Sequence, residues 1–260
     1  MNSIDTSFSI LHSRIPKFPE TCIVLGSGWN KVLDGAKIET EISYKDLFGV
    51  EATVPGHEGK LVIANMNGKR IAFMAGRFHT YEGFTSRQAT TPIQVFAKAG
   101  LKKLVLTAAC GALHEKYKVG DFVVLSDVIT LFLSLDNPLV GPQFLDISEA
   151  FNPEMRNETR EILQKNSIPY HEGSYCYYHG PNFESPADKM ALRFLGADVV
   201  GMSTVPEVIV ARWNKIDVLG IGFVTNLAFV KHDHKDVIAQ AEKASKQMTL
   251  LLRGIINSLG

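Results

Sequence analysis

Cysteine is scarce. Cys22, Cys110 and Cys176 are the only three in 260 residues, scattered and odd in number. They cannot build a disulfide framework, and they fit a reducing compartment. Excess charge of either sign is missing too: 27 Lys and Arg balance 27 Asp and Glu. With no basic run, neither nucleic acid nor an anionic membrane surface is expected as a partner. No apolar stretch is long enough to span a bilayer, and the first twenty residues lack the apolar run of a signal peptide. A cytoplasmic protein is the expectation. Repeats and low-complexity segments are absent. The nearest approach to a metal-ligand cluster is His232-Asp233-His234, which sits among lysines and reads as a solvated loop, so no metal is expected.

What the chain does have is enough length for one large α/β domain with a substantial core. Its most informative stretch is Asp198-Val-Val-Gly-Met-Ser-Thr-Val-Pro-Glu207. Asp198 to Val200 reads as a buried strand broken at Gly201. Thr204 and Glu207 fit a capping box, with Pro206 in the first helical turn. Met202 and Ser203 therefore lie between a strand's carboxyl end and a helix N-terminus. Free N–H groups and the helix dipole favour an anion there, although an ordinary βα turn reads the same way.

The same grammar recurs along the chain. Thr21 to Leu25 is a short apolar strand ending in Gly26-Ser27-Gly28, a turn that lets backbone amides and a hydroxyl approach a phosphate. A dinucleotide site would need a third glycine and a later acidic residue. Leu61 to Met66 and Arg70 to Ala75 form a hairpin through Asn67-Gly68. The second of these strands runs into Gly76-Arg-Phe-His-Thr-Tyr-Glu-Gly83, dense in convergent polar groups. Ala89 to Ala99 is a helix. Lys103 to Thr107 is a buried strand followed by the small residues Ala108 to Ala112, which suit either close ligand approach or tight packing.

Asp121 to Ile129 is a strand, and Leu131 to Ile147 a long loop of the kind used at sites and interfaces. Pro153 to Lys165 is a helix, Glu172 to Tyr178 a strand, and Pro186 to Leu195 a helix. Phe183 and Glu184, just before that helix, read either as a core plug with a first-turn charge or as a stacking face with an acceptor for a heterocycle N–H. The helix after Thr204 runs to about Asn214. Asp217 to Val224 is a strand leading to Thr225-Asn226, and Asp236 to Leu259 is an amphipathic helix. Ser27, Arg77, Ala109, Glu184, Ser203 and Asn226 all fall at strand ends. The pattern predicts one domain over residues 1–260, α/β, with a central mixed sheet surrounded by helices.

Taken together, Leu25-Gly-Ser-Gly28, Val54-Pro-Gly-His57, Gly76-Arg-Phe-His79 with Tyr81-Glu-Gly83, Gly180-Pro-Asn-Phe-Glu184 and the segment Gly196 to Arg212 resemble the trimeric, low-molecular-mass purine nucleoside phosphorylases. The resemblance covers most of Thr21 to His234, in the family's order. It implies phosphorolysis of inosine, guanosine and their deoxy forms in purine salvage, with inorganic phosphate as co-substrate and no cofactor. It also implies roles for individual residues. Ser27, His57, Arg77, His79, the backbone N–H of Ala109 and Ser203 would surround phosphate, with Glu82 orienting His79. Tyr81 and Met202 would line the ribose. Phe183 would stack on the base, and Glu184 and Asn226 would meet its edge. His234 would meet the 5′-hydroxyl, with His232 a near alternative. Phe144 would reach into a neighbouring subunit of a homotrimer. His79, Glu184, Asn226 and His234 are the residues expected to serve catalysis.

There are departures. The family usually has Thr-Asn-Ala-Ala-Gly-Gly where this chain has Thr107-Ala-Ala-Cys-Gly-Ala112, so a backbone donor survives but an asparagine side chain is lost. The segment from Asn226 to the histidine is short, and Leu227 stands where a lysine often follows. A phosphorylase of 5′-methylthioadenosine would share the Thr-Val-Pro-Glu segment but prefer an aspartate at position 226. A non-catalytic nucleoside binder would not need Arg77, His79 and Ser203 intact.

Overall fold

The computed structural model describes residues 1–228, 230 and 234–259, with side chains left out at 234–238. Among the described residues nine strands are formed: β1 Thr21–Leu25, β2 Lys37–Ser43, β3 Lys60–Met66, β4 Lys69–Ala75, β5 Lys103–Ala112, β6 Phe122–Ile129, β7 Tyr170–Tyr177, β8 Val199–Gly201 and β9 Asp217–Leu227. The α-helices are α1 Ile4–Arg14, α2 Tyr44–Phe48, α3 Ser86–Ala89, α4 Thr91–Lys98, α5 Pro153–Lys165, α6 Pro186–Phe194, α7 Val205–Trp213 and α8 His234–Ser258.

The strands join in the order β2-β3-β4-β1-β5-β8-β7-β6-β9, and β9 also pairs with β5. β5, β8, β7, β6 and β9 thus close into a ring, with β2, β3, β4 and β1 continuing outward from it. The sheet is mixed, as the sequence predicts. β1 lies parallel to β4 and β5, and β5 parallel to β9, whereas β5–β8, β6–β9 and β3–β4 are antiparallel.

Helices cover both faces of the inner strands, and β1 is buried along its whole length. In β1, Cys22 and Val24 pack into a core with Leu11, Tyr44, Phe96 and Val208, from α1, α2, α4 and α7. Ile23 and Leu25 face the opposite way, toward Met155 and Leu163 of α5 and Met248 and Leu251 of α8. This alternation with period two fixes which residue leaves each strand on which side.

Several predicted boundaries move. β2 and α2 do not appear in the sequence reading. β5 continues through Ala112, so the small residues after Thr107 are strand rather than a following loop. β9 likewise includes Thr225 and Asn226. The single helix expected at Ala89 to Ala99 is two, α3 and α4, meeting at Thr90, with Pro92 in the first turn of α4. α8 begins at His234 rather than Asp236.

Candidate active site

Where β1, β4, β5, β7, β8 and β9 end, their carboxyl termini surround a cleft of about 450 Å³. Ligands of open α/β sheets bind at this end. One wall starts at Gly26, whose N–H donates to Thr107 Oγ1 (2.9 Å). That hydroxyl in turn donates to the carbonyl of Val24 (2.8 Å). β1 and β5 are thereby tied together at the point where Ser27 emerges.

β4 ends in Gly76 at φ +98°, where an added Cβ would lie 2.5 Å from His57 Cβ. Glycine is what allows the His57 loop to close against this turn. Arg77 follows, 2% exposed. Its Nη1 donates to Glu207 Oε2 (2.9 Å) and its Nη2 to the carbonyl of Thr107 (2.5 Å). The guanidinium is therefore a fixed cation bordering the cleft. Burial pushes the Glu207 carboxyl upward, against the pull of Arg77.

His79 is held by Glu82. Oε1 of that carboxylate accepts the His79 backbone N–H (2.8 Å) and faces Nδ1 (3.1 Å). Its Oε2 accepts both the N–H and the hydroxyl of Thr53 (2.9 and 2.7 Å). A carboxylate only accepts, so Nδ1 carries the proton in this contact. Burial raises the Glu82 carboxyl, but the hydrogen bonds from His79 and Thr53 outweigh it and hold it down to about 2. The rings of His57, His79 and Tyr81 stack in sequence, with centroids 5.2 and 4.6 Å apart and planes 21° and 17° from parallel. Burial, then the proximity of His79 and Arg77, lowers His57 to about 3, so the outer ring of this stack is neutral at physiological pH.

After β8 the chain passes through Met202 and Ser203 to Thr204, at φ 72° and ψ −56°. Val205 N–H donates to the carbonyl of Ser203 (2.8 Å). Together these define a γ-turn of the rare, strained hand. The capping box expected here is present, with Glu207 Oε2 accepting the N–H of Thr204 (3.2 Å).

The other end of the cleft is lined by Phe183, Glu184, Val200 and Asn226. Glu184 and Asn226 are buried, while Phe183 is 37% exposed. Thr225 Oγ1 donates to Asn226 Oδ1 (3.0 Å). Asn226 Nδ2 lies against Gly111, where a Cβ would come within 2.8 Å of it.

Eleven residues expected at the site line this one cleft: Ser27, His57, Arg77, His79, Tyr81, Ala109, Phe183, Glu184, Met202, Ser203 and Asn226. Phe144 does not. It lies on the surface of its own chain, 92% exposed. His232 and Asp233 lie outside the described residues, and of His234 only its backbone place at the start of α8 is described. Thr53, Thr107 and Glu207 escape the sequence reading as site residues. The signal that points to Glu207 is the need of the buried Arg77 guanidinium for a nearby carboxylate. Among the described residues no cluster of His, Cys, Asp and Glu could hold a metal ion.

Comparison with known proteins identifies the family. The family model described as "Phosphorylase superfamily" matches residues 20–257. Purine nucleoside phosphorylase 1 of Geobacillus stearothermophilus is 34% identical, over 99% of this chain and 97% of its own. The Bos taurus purine nucleoside phosphorylase is 35% identical, over 92% and 88%. Among solved structures, a Schistosoma purine nucleoside phosphorylase in complex with hypoxanthine superposes with a TM-score of 0.91 at 33% identity, covering 99% and 97% of the two chains. A Schistosoma mansoni structure in complex with adenosine gives 0.89 at 33% identity, with the same coverage.

Proposed function

Because this chain belongs to the phosphorylase superfamily, and within it to the purine nucleoside phosphorylases, we propose that it catalyses phosphorolysis of purine nucleosides. The bond between C1′ and the purine nitrogen breaks, a phosphate oxygen bonds to C1′, and the purine leaves as free base. The products are the base and ribose or deoxyribose 1-phosphate. The observation that carries this reading is that one cleft gathers Ser27, His57, Arg77, His79, Ala109 and Ser203 together with Phe183, Glu184 and Asn226.

The chemistry follows from those groups. The sugar acquires oxocarbenium character as the bond stretches. A phosphate anion held beside Arg77 by hydroxyl and amide donors stabilises that charge and is already in place to attack. The leaving purine gains negative charge, and the Asn226 amide, whose Oδ1 is occupied by Thr225, has Nδ2 to donate to N7. The Glu184 carboxylate accepts N1–H of a 6-oxopurine. Adenine, which presents a lone pair at N1, leaves that acceptor unmatched, so inosine and guanosine are the preferred substrates. Phe183 stacks on the base, Tyr81 and Met202 line the sugar, and His234 meets the 5′-hydroxyl. No metal or organic cofactor takes part, and phosphate is the co-substrate. The enzyme acts as one phosphorylase domain over residues 1–260 within a homotrimer, in cytoplasmic purine salvage. The exposed Phe144 completes a neighbour's site.

The test is release of free base from inosine, guanosine and adenosine, with and without phosphate. Cleavage should require phosphate, and kcat/KM for inosine should exceed that for adenosine by at least about a hundredfold. Equal rates in phosphate-free buffer would make the protein a hydrolase and end this reading.

A further inference from the structure

Glu207 lies at the third position of α7, where its sequence context marks it only as a cap. Its surroundings are not those of an ordinary cap. It is 6% exposed, and its Oε2 receives donors from two separate segments. Arg77 Nη1 comes from the loop after β4 (2.9 Å), and the N–H of Thr204 from the turn after β8 (3.2 Å). Arg77 is held again by the carbonyl of Thr107 on β5 (2.5 Å), and its Nη1 reaches Thr204 Oγ1 at 3.4 Å. The end of β4, the middle of β5 and the turn after β8 converge on one guanidinium–carboxylate pair.

Burying a carboxylate costs more than a helix cap contributes, so capping does not account for this arrangement. The backbone gives a second reason. Thr204 is β-branched yet held at φ 72°, ψ −56°, a conformation that persists only where surrounding contacts impose it. The bond from its amide to Glu207 is such a contact. Ser203, whose Oγ lies 3.2 Å from Thr204 Oγ1, takes its place from that turn.

We propose that Glu207 is a positioning residue for the phosphate site. It locks Arg77 and the Ser203–Thr204 turn into one frame, and so sets the spacing of two anion-binding elements. The proposal rests on the phosphate reading of the cleft. Glu207 touches no reacting atom and acts through Arg77. Charge alone argues the other way. Glu207 cancels part of the positive charge of Arg77, so if geometry did not matter, a neutral side chain would tighten phosphate binding. The two effects have opposite signs in one measurable quantity.

The experiment is calorimetric titration of inorganic phosphate into the full-length chain: wild type, Glu207→Gln, Glu207→Ala, Arg77→Ala and the double variant Glu207→Gln/Arg77→Ala. Thermal unfolding and the KM for inosine are measured on each. Gln keeps the size and an acceptor oxygen but loses the charged hold on Arg77. Glu207→Gln should weaken phosphate binding about tenfold, and Glu207→Ala should weaken it further, with the inosine KM moving by less than about twofold. In the Arg77→Ala background, Glu207→Gln should have no further effect. Should Glu207→Ala fail to fold, Glu207→Gln carries the test alone. Unchanged or tighter phosphate binding in Glu207→Gln would overturn the proposal. So would a weakening that persists undiminished without Arg77. A wild type that binds no phosphate would overturn both this proposal and the phosphorolysis reading, whereas normal wild-type binding with an indifferent Glu207→Gln would overturn this one alone.

Discussion

His57 is a histidine prevented from becoming a cation. Burial, His79 and Arg77 hold it near 3, against an ordinary value of 6.5. A group whose folded-state value lies below its unfolded one takes up a proton on unfolding. Its contribution to stability is therefore full above pH 6.5 and is lost as the pH falls toward 3. Glu82, held near 2 from an ordinary 4.5, adds a loss that begins only below 4.5. Urea unfolding between about pH 5 and 6.5 should therefore show stability falling with acid, and His57→Asn should flatten that slope. An unchanged slope would mean that His57 is not held neutral by the fold. At this scale most of the site is legible in the sequence, because arginine, histidine, serine and glutamate clustered at strand ends have chemistry of their own. Glu207 and Thr53 were not legible. Their partners lie 130 and 29 positions away, and only the fold brings them within reach.

Element by element, local signals succeed where the geometry is local. Asn67-Gly68 adopts φ 52° and 83° and joins β3 to β4 in the register expected of a two-residue hairpin. β2 stays hidden because Lys37, Glu39 and Glu41 make an edge strand with little apolar content, as edges require. β5 outruns its expected end because Ala108 to Ala112 have little preference for a strand of their own, and β9 pairs along them from more than a hundred residues away. The cleft is thus walled by strand backbone there, and Gly111 is the point of closest approach. A Cβ at that position would lie 2.8 Å from Asn226 Nδ2. Gly111→Ala should displace the amide and lower kcat/KM for inosine by about ten- to a hundredfold, with phosphate affinity retained. Equal losses for both substrates would point instead to general damage of the strand.

On the scale of the whole molecule, Leu131, Phe132, Leu135, Val140 and Phe144 form an exposed apolar run, with Leu135 fully exposed and Phe144 92% exposed. Such runs mark contact surfaces and support the proposed trimer. Sedimentation should give a trimer, and Phe144→Ala should impair nucleoside use with thermal stability retained. Mixing impaired Phe144→Ala and Arg77→Ala subunits should raise activity above that of either variant alone, since a mixed trimer contains an Arg77 site next to an intact Phe144. A fully active monomer would rule this out. The mixed sheet was legible in the alternation of strands and helices. The ring was not, because the sequence does not reveal that β9 returns to β5. That return has a consequence for how the protein is made. Of the described strands β9 is the last to leave the ribosome, and it carries Asn226 and fills the gap between β5 and β6. Until it arrives, a nascent chain holds two apolar strand edges with nothing to pair with and only part of a cleft. A chain stopped short of residue 217 is thus not a weaker enzyme but a sticky intermediate with no enzyme in it, and chaperone protection should matter most before β9 emerges.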